Sequence, residues 1–447
     1  MLDSEKREIA KINPKIAEEL QTEPRMEMDY LSPKKPLHQS AQSLLNAKPN
    51  SALIYHLITQ DNLWIILATP DGKLQKFSSN ANQAEIESLT TTVRDQIEKC
   101  EKQYVVCDKN DTQTLNQTTQ KLYQRLFPPD LQAALNQAKT QHLTLALDGN
   151  LRNIPIAALH TGSQYLIEQY TLSTIIAAQL TDSQDKLDPD PRRSPVLAVG
   201  TSHSATISFQ YMVDGKRQDQ FGALSNTPFE VNTIVNPKSF PGNIFLDDQF
   251  TLPTLQTNLP KHRLFHIASH GIFRPNFLDY SYILMGNNQR WSIAQMDSDP
   301  NAKLFQNIHM VTLSACQTGL SGRDKTGMEI AGMSHAFMSK GAKAVTASLW
   351  QVEDESTAMF MQHYYRNLTT QSKAEALRTA QLKLLRTPRN TLVSQLVSQL
   401  SRTLSDEIKR SWEINITSTP STSDKPKTPD YTHPYYWAPF ILIGNNL

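Results

Sequence analysis

Cysteine is scarce in this chain: three in 447 residues, at positions 100, 107 and 316. A small, odd number in a long chain argues against a disulfide framework. Cys100 and Cys107 lie seven apart with no histidine ligand pattern nearby, so they read as plain thiols, buried or partly exposed. Long apolar runs are missing as well. Nowhere do about 18 apolar residues follow one another, which excludes a spanning helix. Charge of one sign is also missing: 44 Lys and Arg stand against 43 Asp and Glu, a formal net charge of +1. That balance gives no bulk attraction for nucleic acid or an anionic membrane, and neither is expected as a partner. The first thirty residues are charged from the start and lack the apolar core of a secretory signal. They point to the cytoplasm, although a trimmed form of an exported protein would look the same. There is no G-x-x-x-x-G-K-[ST] loop, no G-x-G-x-x-G opening a helix, no H-E-x-x-H, no internal repeat and no heptad array. No cofactor is called for.

What is present is enough apolar residue, 39%, for a large core, in a chain longer than one compact domain needs. Helical spacing at residues 4–22 is broken by Pro14, and residues 23–40 carry three prolines and read as a linker. Residues 52–58 and 63–68 are apolar runs around a turn, which predicts a hairpin, and Pro70-Asp71-Gly72 turns the chain towards a third strand at 74–77. Helices are expected at 83–103, 113–127, 226–236, 328–340, 357–368 and 373–385, and short buried strands at 142–147, 196–199, 243–246, 263–268, 310–313, 344–349 and 437–443. Residues 183–195 and 415–432 are polar, Pro-containing loops. Buried strands alternating with helices predict a three-layer α/β/α sandwich on a mostly parallel sheet. The expected division is an N-terminal helix and linker (1–48), a smaller α/β lobe (49–192) and a larger domain (193–447).

In such sheets ligands bind beyond the carboxyl ends of the strands. Two ends stand out. One strand runs through His266-Ile267-Ala268-Ser269 into His270-Gly271, and another runs through Val311-Thr312-Leu313-Ser314-Ala315 into Cys316-Gln317-Thr318-Gly319. A thiol becomes a useful nucleophile as a thiolate, and an imidazole about 3 Å away can take its proton. The N–H groups of Gly271 and Cys316 can hold the oxyanion of a tetrahedral intermediate. A lone histidine at a strand end is usually structural, and a lone cysteine usually a small hydrophobe. The pair is more telling, because 316 minus 270 is 46, close to the caspase spacing of about 50, and Ala315 and Gln317 flank the cysteine in the caspase manner.

On these motifs the chain resembles the CHAT family of caspase-like peptidases, kin of caspases, gingipains and separase. The resemblance covers roughly residues 118–447. It adds Gly327–Gly332, Gly341–Val345, Ser348–Asp354, Ala146–His160 and the ending His433–Phe440 to the two motifs above. Where the family often has a proline next to Asp148, this chain has Ala146-Leu147. The resemblance implies a caspase-like fold and peptide-bond cleavage by a Cys316–His270 dyad. It also implies that the lobe at 49–192 is an inactive caspase-like half.

In separase-type enzymes an acidic residue after a Leu-Trp segment faces the basic residue before the scissile bond. Asp354, with Glu353 beside it, occupies the similar place here and would favour Arg or Lys. Asp354 equally suits the N-cap of the helix that follows. The family's habit of pairing with TPR-type modules implies a protein substrate and an activating protein partner. Arg192-Arg193 reads either as a processing site or as a plain loop. Some relatives bind calcium, but no carboxylate loop stands out, and the dyad needs no metal. Two other readings stay open: a silent scaffold on the same fold, and another cysteine-dependent amidase.

Overall fold

The structure, a computed structural model, describes Lys6 and residues 37–101, 107–211, 215–274, 277–299, 303–314, 328–400 and 429–447. These hold sixteen strands: β1 (Ser51–Ile58), β2 (Leu63–Ala68), β3 (Leu74–Ser79), β4 (His142–Leu147), β5 (Thr171–Ile175), β6 (Val196–Gly200), β7 (Ala205–Tyr211), β8 (Gly215–Phe221), β9 (Gly242–Leu246), β10 (Leu264–Ala268), β11 (Gly271–Ile272), β12 (Tyr282–Leu284), β13 (Arg290–Ser292), β14 (Met310–Leu313), β15 (Ala344–Ser348) and β16 (Phe440–Gly444).

Eleven of them form one sheet in the order β3-β2-β1-β4-β5-β16-β15-β14-β10-β6-β9. Its pairings are parallel except in the β1-β2-β3 hairpins and between β15 and β16. The fold is therefore mixed α/β with a large, mostly parallel sheet. Strands of residues 51–175 and strands of residues 196–348 share it, joined through β16.

A parallel sheet covered on both faces needs apolar residues at every position, not at alternate ones. The segments VLAVG, LFHIA, MVTL and AVTAS are mostly apolar and buried throughout, and their buried His266, Thr312 and Thr346 have side-chain hydrogen-bond partners. Alternate side chains enter different cores. One continuous core covers one face from Ile54 through Leu145 and Leu442 to Ala198 and Leu264. The other face carries two separate cores, around Tyr55 and Trp64 at one end and around Phe265 and Val311 at the other. At Gly341, which follows the helix Met328–Ser339, φ is +114°, and a Cβ would come 2.7 Å from the Gln306 backbone. Only glycine allows that close turn into β15.

Most of the expected elements are present, with corrections. The stretch read as a linker to residue 40 already contains the start of the helix Leu37–Asn46, directly after Pro36. Residues 4–22, apart from Lys6, and residues 415–428 lie outside the described residues. The last strand begins at Phe440, because Pro434–Trp437 form a short helix capped by His433. Among the described residues, no helix is long and apolar enough to cross a membrane.

The largest correction concerns Cys100 and Cys107. They are joined in a disulfide, buried against His433, whose Nδ1 is 3.9 Å from the Cys100 sulfur. The two helices on either side, Gln83–Glu98 and Lys109–Leu126, pack against each other and bring the sulfurs together. A count of cysteines over the chain holds no sign of that local geometry. Closing so short a loop is worth about 2 kcal/mol. A Cys100→Ser, Cys107→Ser chain should show a lower urea midpoint than the parent, and dithiothreitol should lower the parent to match. An unchanged midpoint in both would show that the bond adds nothing.

Candidate active site

Strand β10 places His266 in the core, and His270 follows two residues beyond its end. Full burial of an aliphatic or aromatic side chain contributes about 1.5–3 kcal/mol, and a buried polar one costs as much unless partnered. His266 is completely buried and both its ring nitrogens have partners: Nε2 is 2.8 Å from Glu230 Oε1, and Nδ1 is 3.2 Å from the Tyr365 hydroxyl. Tyr365 in turn donates to Thr312 on β14, 3.1 Å away. The first histidine of the motif is thus structural.

His270 lies beyond the strand end, 6% exposed, its ring 4.9 Å from that of Phe221. Its Nε2 is 2.9 Å from the Gly222 carbonyl oxygen. A carbonyl only accepts, so Nε2 carries the hydrogen and Nδ1 keeps its lone pair. Burial lowers the pKa of the ring, outweighing the opposing pull of that carbonyl, which favours the neutral, basic form. The turn is held by Ser269, whose hydroxyl donates to Leu284 O at 2.6 Å and lies 3.2 Å from that of Thr201.

Gly271 pairs with Ile283, and the neighbouring Leu284 N–H donates to His270 O. Gly271 therefore occupies a position in the antiparallel pair whose N–H points away from β12.

Cys316 lies outside the described residues, as do Ala315 and Gln317–Gly319. The strand leading to it is described. β14 runs parallel to β10 with Leu264 opposite Met310 and Ile267 opposite Leu313. The register offset, 310 minus 264, is 46, the same as the separation of His270 and Cys316. Ser314 follows, its N–H donating to Ile267 O at 2.9 Å. Its buried hydroxyl has no partner among the described residues and faces a cleft that also receives His270, Glu230, Gln351 and Asp354.

Asp354 opens the helix Asp354–Leu368 but does not cap it. The cap is Glu353, whose carboxylate accepts from the N–H groups of Glu355 and Ser356. Asp354 points into the cleft instead and accepts the Asn226 N–H at 2.9 Å. Burial, with lesser repulsion from Glu353 and Glu230, pushes its pKa up to about 7. Burial likewise raises that of Glu353, with Glu355 adding to it. Glu353 is turned from the cleft towards the Tyr431 hydroxyl, 3.5 Å away, while Glu355 binds Tyr431 at 2.8 Å and Arg389 at 2.6 Å. Of the two acidic candidates, only Asp354 lines the cleft.

The CHAT domain family model matches residues 116–445, about three quarters of the chain. The chain belongs to the CHAT domain family. Against solved structures, this CHAT domain chain is similar to separase of Saccharomyces cerevisiae in its complex with securin. The identity is 10%, the TM-score 0.48, and the match covers 77% of this chain and 29% of that one. It is also similar to the Arg-specific cysteine proteinase gingipain R, at 9% identity and TM-score 0.38, over 76% of this chain and 68% of that one. The chain spans less than a third of the separase chain it matches. Curated protein sequences give no match.

Sequence reasoning missed Gly222, Phe221 and Glu230. A backbone carbonyl that orients a histidine has no residue signature. Glu230 lies 36 residues before its partner His266, and nothing local marks the pair.

Proposed function

We propose that this CHAT domain chain is a cysteine endopeptidase in which Cys316 attacks the scissile carbonyl and His270 takes the thiol proton. The observation that carries the reading is the β10–β14 register: these neighbouring parallel strands, which lie about 4.8 Å apart, pair with an offset of 46 residues, equal to the spacing of His270 and Cys316 in the sequence. His270, neutral and with Nδ1 free of the Gly222 bond, has the form a base needs. The thiolate adds to the carbonyl carbon, and its oxygen becomes the anion held by the Gly271 and Cys316 N–H groups. The protonated imidazole then gives its proton to the leaving amine, and water releases the acyl group by the same path in reverse.

Asp354, buried beside His270, makes Arg or Lys the favoured residue before the scissile bond. Its substrates are proteins, and a protein partner that opens the cleft fits the limited room around Asp354.

The test is cleavage of a peptide library varied at that position, at pH 6 and pH 8, by the parent chain and by Asp354→Asn. Below about pH 7 the Asp354 carboxyl is largely protonated, and above it charged. The preference for Arg and Lys over Gln should grow several-fold between the two pH values and should be absent in Asp354→Asn. No cleavage of any peptide, with Cys316 alkylated by iodoacetamide no faster than an ordinary thiol, would rule the peptidase out. Cleavage with an unchanged preference would remove only the role of Asp354.

A further inference from the structure

Away from the cleft, the hairpin β7-β8 packs on the small sheet β11-β12-β13. Strand β7 alternates: Ala205, Ile207 and Phe209 are buried, and Thr206 and Ser208 are exposed. The buried set meets Ile272, Tyr282 and Leu284. A polar groove lies along this junction, between Thr206–Phe209 on one wall and Asn288–Arg290, Ser292 and Gln295 on the other.

Arg290 lines it, while Arg274 lies against Phe209, 5.4 Å from the ring, and the two differ. Arg274 is neutralised: its Nη2 is 2.7 Å from Asp219 Oδ1, and Nη1 donates to Tyr280 O at 2.7 Å. Asp219 also accepts the Tyr282 hydroxyl at 2.6 Å. Among the described residues, Arg290 has no such partner. Its half-buried guanidinium is sandwiched 5.0 Å from the Phe209 ring and 5.5 Å from the Tyr282 ring. Nη1 is buried with no hydrogen bond, and no ion pair reaches the group among the described residues. An arginine held by two aromatic faces has lost its side-chain freedom in advance, and its planar fork is fitted to a carboxylate.

The walls add a second feature. Among the described residues, β13 pairs only with β12, and β7 only with β8. Each leaves one edge along which an extended segment can hydrogen-bond.

We infer that this groove binds an extended, acidic segment of a protein, with a carboxylate on the Arg290 guanidinium and the segment's backbone along a strand edge. The occupant is chosen by charge: Arg290 is the unneutralised cation of the groove, and Thr206, Ser208, Asn288 and Gln289 supply neutral polar groups around it. Asp279, the acid in the lining, confines the favourable position to the Arg290 end. The site is independent of the dyad chemistry. It is linked to the cleft through β8, whose Phe221 ring lies 4.9 Å from that of His270.

The experiment uses the full chain carrying Cys316→Ala, so that no probe is consumed. Three fluorescent octapeptides with blocked ends are compared by anisotropy. One alternates Thr and Glu, one alternates Thr and Gln, and one is the Glu peptide N-methylated at alternate residues. The Glu peptide should bind, the Gln peptide at least about tenfold more weakly, and the N-methylated peptide several-fold more weakly. Arg290→Gln should remove the tenfold difference, and Arg290→Lys should restore only part of it. Thermal unfolding checks that both variants are folded. Equal binding of the Glu and Gln peptides, or a difference that survives in folded Arg290→Gln, overturns the acidic site. Undiminished binding of the N-methylated peptide overturns the strand-edge pairing.

Discussion

Cys316→Ala is expected to lower peptide cleavage at least about a thousandfold, and His270→Ala by a similar factor, with no further loss when the two are combined. Groups that act as one unit are not additive: once the thiolate is gone, a base has nothing to activate. The pH profile of the parent adds a sharper mark. Burial lowers the pKa of His270, so the acid limb of kcat/KM should have its midpoint below the ordinary histidine value of about 6.5. Phe221→Ala would expose the ring to water and shift that limb upward. A limb that stays in place in both chains would mean that it reports another group. A double variant far slower than either single one would mean that the two residues do not work together.

The second large effect is on stability. Glu230→Ala should cost roughly 3 kcal/mol, because it strands the His266 ring nitrogen in a core with no water to replace the lost bond. Glu230→Gln keeps an acceptor at the same place and should cost much less. Thermal unfolding of the two variants decides the matter, and equal losses would show that the hydrogen bond is not what the residue supplies. Glu230 also lines the cleft with Asp354, so Glu230→Gln removes a neighbour that pushes the Asp354 carboxyl upward. The shift of cleavage preference with pH should then fall to lower pH.

The legible parts of this fold were those where burial covers both faces of a strand. Largely apolar, β-branched runs such as Leu63–Ala68, Met310–Leu313 and Ala344–Ser348 can hardly be anything else between turn signals. The elements not foreseen are half-exposed or short. β8, Gly215–Phe221, carries Lys216, Arg217, Gln218, Asp219 and Gln220 in a row, and it is a strand because β7 pairs with it, not because of its own composition. β5, Thr171–Ile175, reads as polar, yet Thr174 donates to Leu442 O and Ser173 meets Thr144, so its hydroxyls are satisfied by neighbouring strands. In the site, His270 and Gly271 could be singled out only through the joint pattern with Cys316, 46 residues on, since a lone histidine at a strand end is usually structural. The choice between Glu353 and Asp354 as cap was not legible, since both can cap and only the direction of the chain entering the helix decides. Which acid faces the cleft follows from that.

The place of β16 has a consequence for how the chain folds. Strands β5 and β15 flank it, so the two halves of the sheet are bridged by a segment synthesised after all ten other strands. Its partners lie some 100 and 270 residues back along the chain. Contacts so distant in sequence form slowly. The half-sheets can each collapse early on local pairings, with open edges at β5 and β15 that invite wrong partners. Insertion of β16 then joins the continuous core on one face, and refolding should show a slow phase in which both halves gain protection from hydrogen exchange together.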